Sequence, residues 1–380
     1  MSSGLYIHIP FCVKKCSYCD FDSFSGSSIR MDEYVSGVVR EMELRAADYY
    51  FPPASTLYLG GGTPSLLAPD LAGRLVEAAR DRYALASDAE VTLEANPGTV
   101  TEETLAGFHR AGFNRLSLGV QSFDDQVLQI LGRVHNSKAA RDAVAAARAA
   151  GFANIGIDLI HSLPGQTLRQ WEETLFRAVE LRPEHISAYG LTVEEGTPLH
   201  RQVAAGLLTL PDDDAGAHMY RIAQDILGAA GYEQYEIANY ALPGRRSRHN
   251  QIYWLRESCL GFGAAAHSFL ADPPYGRRWH TPADPTEYLC RIAAGELPED
   301  DVMLPTRREA MAEACFLGLR MSDGIDPEQF RSAFGESPEQ IYGAALEPLF
   351  KAGFLRYSGG RLFIPPDRLI LSNQILVHFL

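Results

Sequence analysis

The sequence predicts an α/β fold: an open, partial (β/α)6 TIM-like barrel followed by a mostly helical, winged-helix-like region. Three observations lead there. Apolar, strand-like runs begin near Leu5, Thr56, Val91, Arg115, Ile155 and Ile186, and amphipathic stretches lie between them. Polar side chains recur where each run ends, and in such barrels chemistry collects at the C-terminal ends of the strands. Beyond Thr306 the alternation stops, and successive helical stretches lead to a hairpin.

Composition sets the bounds. A chain of 380 residues suits two or three domains with a large core. Hydrophobic residues at 46% and charged residues at 22% are those of an ordinary globular protein. A net charge of −14 argues against a nucleic-acid partner held by bulk electrostatics. No apolar run approaches a membrane span, and Met1-Ser2-Ser3-Gly4 carries no basic leader, so a cytoplasmic location is expected.

The first run, Leu5 to Ile9, reads as a short buried strand, and it opens into Cys12-Val13-Lys14-Lys15-Cys16-Ser17-Tyr18-Cys19. This C-x-x-x-C-x-x-C loop can wrap three thiolates around one inorganic centre. Three is one short of closing a four-iron cube or a tetrahedral zinc site. In an iron–sulfur cluster, one iron then stays open to a non-protein ligand. A structural zinc site would need a fourth ligand, and His8 is the only imidazole nearby. A disulfide framework fits poorly, because Cys259, Cys290 and Cys315 are scattered.

The helical stretches Asp32–Asp48, Pro69–Tyr83, Thr101–Ala111, Ser137–Ala150 and Leu168–Leu181 carry boundary signals. Thr101-Glu102-Glu103 opens one of them, and Gly112 and Gly151 close two. The strand bodies read as apolar and the exits as polar. The exits are Gly60-Gly61-Gly62-Thr63-Pro64, then Glu94-Ala95-Asn96-Pro97, Gly119-Val120-Gln121-Ser122, Asp158 to Gly165, and Tyr189-Gly190-Leu191-Thr192. The glycine triplet lets backbone approach a ligand and tolerates positive φ. An ammonium group suits its carbonyls, and a tight turn is the competing explanation.

Together, the cysteine loop after the first strand and Gly-Gly-Gly-Thr-Pro after the second strongly resemble the radical S-adenosylmethionine (SAM) superfamily. With Glu94, Gln121, Arg133 and Asp158, the chain is similar to the branch holding oxygen-independent coproporphyrinogen III oxidase and the HemW-type haem chaperones. The resemblance implies the fold of that superfamily, with Cys12, Cys16 and Cys19 holding a 4Fe–4S cluster. It implies SAM contacts from Tyr6, Tyr18, Gly61, Gly62, Thr63, Glu94, Gln121, Arg133 and Asp158. The chemistry is consistent: carboxylates suit ribose hydroxyls and ammonium, and a guanidinium suits carboxylate.

Two departures separate the chain from the oxidases in that branch. They carry a further cysteine just after the motif, where this chain has Cys19-Asp20-Phe21, and a longer segment before it. The HemW-type chaperones match the chain on both counts, and their H-N-x-x-Y-W mark stands here as His249-Asn250-Gln251-Ile252-Tyr253-Trp254. The resemblance thus implies haem as cargo, passed to haem-accepting apoproteins at the membrane surface, and an electron donor for the cluster. Radical decarboxylation of coproporphyrinogen III is the rival activity. His249, Asn250, Tyr253 and Trp254, beside Arg245, Arg246 and Arg248, are the expected haem residues, and His267 and Cys259 are rival ligands. The expected organisation is a core over 1–300 (partial barrel to about 200, then an α/β extension) and a helical, winged-helix-like region over 301–380. Its helical stretches are Thr306–Leu319, Asp326–Phe334 and Ile341–Ala352, with a hairpin around Ser358-Gly359-Gly360.

Overall fold

The computed structural model describes residues 2–26, 28–48 and 51–379. It begins with β1 (Gly4–Ile9), and the cysteine loop behind it carries β2 (Phe11–Cys12) and β3 (Phe24–Ser25), paired in parallel. Then follow α1 (Met31–Asp48), β4 (Thr56–Gly61), α2 (Pro69–Tyr83), β5 (Glu90–Ala95) and α3 (Glu102–Arg110). The alternation continues with β6 (Arg115–Gln121), α4 (Asp125–Ile130), α5 (Ser137–Ala149), β7 (Ile155–His161), α6 (Leu168–Glu180) and β8 (His185–Gly190). All six expected strands and five expected helices are present. The short α4 was not expected; the Asp124 side chain starts it by accepting from the Gln126 and Val127 amides.

The local signals act as the sequence suggests. Thr101 accepts from the Thr104 amide while Thr104 accepts from the Thr101 amide, and Thr167 and Gln170 exchange the same pair at α6. Adjacent barrel strands run parallel, with Tyr6 opposite Tyr58, Tyr58 opposite Thr92, Glu94 opposite Ser117, and Asp158 opposite Ser187.

That register corrects one expectation, because the strand bodies are apolar on one face only. Leu57, Leu59, Val91, Leu93, Leu116, Leu118, Ile155 and Ile157 are buried in the main core. The alternate positions Tyr58, Glu94, Arg115, Ser117, Asp158, His185 and Ser187 line a cavity on the other face. Strand side chains alternate faces. A half-open barrel does not fill its inside with stacked aliphatic layers, so polar groups can occupy the whole inner face.

Beyond β8 come α7 (Pro198–Ala204), α8 (Asp213–Ala229), β9 (Glu233–Gln234), β10 (Asn239–Ala241), α9 (Arg248–Trp254) and β11 (Cys259–Phe262). Next are β12 (His267–Leu270), β13 (Arg277–His280), α10 (Pro285–Ala293) and β14 (Asp300–Met303). One sheet runs β14-β13-β12-β11-β1-β4-β5-β6-β7-β8-β10-β9. β11 lies parallel to β1, a seventh parallel strand contributed from far along the chain, whereas β12 to β14 add antiparallel.

The C-terminal region contains α11 (Arg307–Gly318), α12 (Pro327–Phe334), α13 (Pro338–Lys351), the β15 (Arg356–Ser358)–β16 (Arg361–Phe363) hairpin and α14 (Ser372–Leu376). It gathers a second apolar cluster that includes Cys315, Leu319, Phe330, Leu346, Leu362 and Phe379. α13 starts at Pro338, three residues before the expected Ile341, because Pro fits the first turn and Gln340 accepts from the Ser337 amide. Among the described residues no helix is long and apolar enough to cross a membrane.

Helix α1 fixes the turn between β11 and β12. Buried Glu41 pairs with buried Arg45 at 2.9 Å and accepts from the Gly263 amide (2.9 Å) and the Tyr288 hydroxyl (2.7 Å). Arg45 also pairs with Glu299, so removing Glu41 leaves its charge only partly compensated and strips the buried Gly263 amide and Tyr288 hydroxyl of their acceptor. Glu41→Ala is therefore expected to cost about 3–5 kcal/mol, measured as the shift in a urea unfolding curve. A cost under about 1 kcal/mol would show that the pair contributes nothing beyond a surface bridge.

Candidate functional site

The inner face of the barrel and its strand exits enclose a cavity of about 430 Å³. Its lining includes Cys12, Cys16, Cys19, Tyr18, Gly61, Gly62, Thr63, Glu94, Gln121, Arg133 and Asp158. Of the residues expected to contact SAM, only Tyr6 is outside that lining. It lies on β1, its hydroxyl 3.1 Å from His8 Nδ1, and His8 Nε2 is 2.8 Å from the Asp22 carbonyl.

The cysteine loop is held from several sides. The Gly62 amide donates to the Ile9 carbonyl, the Thr63 amide to Phe11, the Phe24 amide to Pro10, and the Ser17 amide to Leu131. Gly61 and Gly62 are required here by packing alone. Gly61 has φ +107°, and a Cβ there would lie 2.5 Å from the His8 ring; one on Gly62 would lie 2.7 Å from the Phe11 carbonyl oxygen. The turn explanation and the ligand explanation for the triplet are therefore compatible.

Two donors reach the sulfurs. The Thr63 hydroxyl lies 3.6 Å from Cys12 Sγ, and Arg133 Nη1 lies 3.3 Å from Cys16 Sγ. Arg133 Nη2 also donates to the Gly119 carbonyl at 2.5 Å. The third guanidinium nitrogen, Nε, is buried with no hydrogen-bond partner among the described residues, which leaves a donor for an anionic group in the cavity.

Gln121 owes its place to a break in the ladder. The β6–β7 register shifts between Gly119 and Gln121, and Gln121 takes φ +67°. A non-glycine residue held there costs on the order of 1 kcal/mol. The kink brings the side chain to the cavity at the strand exit.

Glu94 faces the cavity. Its Oε1 accepts from the Tyr58 hydroxyl at 2.7 Å and its Oε2 from the Gly61 amide at 3.2 Å. Burial pushes its carboxyl up to about 7, against the Tyr58 hydrogen bond, and the nearby Asp158 charge adds to the rise. Burial also raises Asp158, opposed by hydrogen bonds from Ser187 and Ser117.

The donor set fits the cofactors the sequence implies. Two carboxylates suit an ammonium and a ribose diol, the open Arg133 Nε suits a carboxylate, and hydrogen bonds to two cysteine sulfurs suit thiolates. Among the described residues no three His, Cys, Asp or Glu side chains converge as ligands of a single ion do. A cubane places its irons apart and does not ask for such convergence.

Tyr58, Arg115, Ser117, His185 and Ser187 also line the cavity and were not expected there; Tyr189, from an expected strand exit, and Asn250, from the expected haem residues, line it too. Period-two reading would have found most of them. Arg115, Ser117, Asp158, His185, Ser187 and Tyr189 hold alternate positions on their strands.

The His249 hexapeptide forms α9, below the strand exits. His249 is 1% exposed. Its Nδ1 lies 2.7 Å from the Thr56 hydroxyl and its Nε2 2.9 Å from the Tyr253 hydroxyl, while the ring stacks on Tyr58 with centroids 5.0 Å apart. Burial lowers its pKa to about 3. Asn250 reaches the cavity, and Trp254 packs beside Tyr235 and Met321 with the Arg320 guanidinium 4.7 Å from its ring. Arg246 pairs with Asp323 at 2.6 Å, and Arg248 donates to the Asp88 carbonyl at 2.7 Å. Of the rival ligands, Cys259 is buried with its thiol pushed up to about 12, and His267 is exposed.

Because Glu94 takes up its proton more readily in the folded chain, its burial costs stability as pH rises from about 4.5 through about 7. Glu94→Gln should therefore gain on the wild type between about pH 5 and pH 8, by on the order of 3 kcal/mol at most. Urea midpoints of the ligand-free proteins at the two pH values check this. A difference independent of pH would show that Glu94 is not the acid described.

Comparison with known proteins adds the family. The Radical SAM superfamily model matches residues 6–178, and the HemN C-terminal domain model matches residues 306–367. The chain is 36% identical over 376 residues to "Heme chaperone HemW" of Bacillus subtilis (strain 168), covering 99% of this chain and 98% of that protein. It is 41% identical over 271 residues to "Heme chaperone HemW" of Escherichia coli (strain K12), covering 71% of each. In fold it is similar to the Escherichia coli coproporphyrinogen III oxidase HemN, a radical SAM enzyme. The TM-score is 0.85 at 23% identity, over 100% of this chain and 90% of that one. With this similarity running the length of the chain and the cysteine loop, cavity and C-terminal region in place, the chain belongs to the HemW family of the radical SAM superfamily.

Proposed function

We propose that this chain is a haem chaperone of the HemW type. It holds a 4Fe–4S cluster on Cys12, Cys16 and Cys19, binds SAM in the barrel cavity, and carries haem to acceptor apoproteins. The observation that carries the cofactor part is Arg133. One guanidinium donates to the Cys16 sulfur, lines the cavity and keeps a free buried Nε, so the cysteine loop and the cavity share one group. Arg133 would take the SAM carboxylate, Glu94 and the glycine turn its ammonium side, and Asp158 its ribose. When bound, the pair of cofactors supplies one-electron cleavage of a sulfonium bond. The chain's own part is to orient the two and to keep water from them.

The chaperone part rests on the printed names of the relatives and on Phe21, which stands where the oxidases of the branch carry a further cysteine. Haem-accepting apoproteins at the membrane surface, an electron donor for the cluster and a cytoplasmic location complete the reading. Of the expected haem residues, Asn250 would meet the guest from the cavity lining, while His249, Tyr253 and Trp254 would hold α9 in place and not touch it.

Anaerobically purified protein should carry about four irons and four sulfides per chain, and Cys16→Ser should lose most of both. Stoichiometric zinc in the wild type would overturn the cluster. Arg133→Lys should weaken SAM binding by roughly tenfold to a hundredfold, since a charge-assisted hydrogen bond is worth about 1.5–3 kcal/mol; isothermal titration reads it. The protein should shift the haem Soret band and leave coproporphyrinogen III unaltered. Robust decarboxylation would overturn the chaperone assignment.

A further inference from the structure

Haem iron takes an imidazole only through a nitrogen that has no other bond to keep. His109, His200, His218 and His378 sit on helices and show no ring hydrogen bond among the described residues; the histidines of the sheet and the barrel wall divide sharply on that test. His249 uses both ring nitrogens, on Thr56 and Tyr253. His8 uses both on Tyr6 and Asp22, His135 on Asn96 and the Val120 carbonyl, and His280 on the Thr281 carbonyl and Asp301. His161 and His185 are buried, and one nitrogen of each is already bonded. Cys259 is buried against the Tyr253 hydroxyl and is held as a thiol.

His267 differs from the bonded histidines, and unlike the four on helices it lies in the sheet at the rim. It opens β12, its side is exposed, and no hydrogen bond to its ring is found among the described residues. Its position follows from the sheet. Cys259 lies opposite Phe269, and His267 is two residues from Phe269, so all three share the concave face that carries the cavity. His280 lies opposite His267, with ring centroids 5.4 Å apart, and Arg278 lies opposite Phe269. β12 runs antiparallel to β11, so its first residue stands at the rim where β1 and β11 end and the cysteine loop begins. The nearby Asp22 belongs to that loop, which leaves Phe21 62% and Phe24 38% exposed.

We propose that His267 supplies the axial imidazole to haem, which lies on this rim between the cysteine loop and the β12–β13 ends. The inference rests on the haem-chaperone reading and deepens it by assigning the iron's ligand. The chemistry of the rim selects the occupant. A free imidazole takes a ferric or ferrous iron, and exposed phenyl rings suit the face of a flat macrocycle. Arg278 offers a partly exposed guanidinium on the same face to a propionate, in competition with its bond to Glu313. His267 is the ligand, and His280 packs against it with its own nitrogens committed to Asp301 and Thr281.

The test uses the full chain with its cluster, titrated with ferric haem and followed by electron paramagnetic resonance and magnetic circular dichroism. These separate haem from cluster absorption. Wild type and His249→Gln should give the same imidazole-ligated haem signal. His267→Ala should lose that signal and bind haem at least about tenfold more weakly, with cluster iron and circular dichroism unchanged. Free imidazole added to His267→Ala should restore the ligated spectrum. An unaltered signal in His267→Ala, or its loss in His249→Gln with cluster iron and circular dichroism intact, overturns the assignment of His267 and leaves the chaperone reading standing. A wild type that takes up no haem overturns that reading, and the ligand with it.

Discussion

The cavity-facing carboxylate of Glu94 is the point on which this architecture turns. Its hydrogen bond from Gly61 fixes the turn that leads into Gly62 and Thr63, and those residues bind the cysteine loop through Ile9 and Phe11. Its other oxygen holds Tyr58, whose ring supports His249, which in turn bonds Thr56 and Tyr253. A single acid thus couples the metal-binding loop at the rim to α9 below it. The arrangement is expensive without a ligand, because burial raises the pKa of Glu94 and of Asp158 alike. A cationic guest would relieve part of that cost, and it would lower both pKa values.

The cysteine loop could not hold its shape alone. It has two-residue strands and little internal hydrogen bonding. Its frame comes from elsewhere: Leu131 and Ile130 at the end of α4, Leu199 in α7, and the turn after β4. Arg133 joins the same set through Cys16. Contacts of such large sequence separation exist only in the assembled barrel, so the cluster site is a product of the tertiary fold.

Most of the scaffold was legible because its signals are local. Strand–helix alternation, Thr101 and Thr167 caps and closing glycines act within a few residues of themselves. The cluster and SAM residues were legible through motif resemblance, and the cavity lining now brings nearly all of them together. What escaped was non-local or periodic. The parallel pairing of β11 with β1 joins residues some 250 positions apart, and no local pattern announces it. The polar inner face was readable in R-L-S-L-G-V-Q and H-I-S-A-Y-G, but treating strands as apolar runs averages the two faces and hides it. Gln121 was legible as a residue and not as a geometry, since its bulge depends on the register with β7.

The hexapeptide at α9 shows how a short motif can serve several ends through helical geometry alone. His249 and Tyr253 are four residues apart, so they share a face and bond each other against the barrel wall. Asn250, one step round the helix, meets the cavity instead. Trp254, a further step beyond Tyr253, meets Met321 and Arg320, which lead into the C-terminal region. The helix therefore touches the sheet, the cavity and the following region at once, and its buried imidazole is its most constrained group. Protonating or displacing that ring would break two hydrogen bonds and a ring stack together. A residue so placed is suited to transmit a change between the cavity and the C-terminal region, and poorly suited to surrender a nitrogen to iron. The exposed rim at His267, where no such bonds must be broken, is the more economical place to hold a ligand that must later be released.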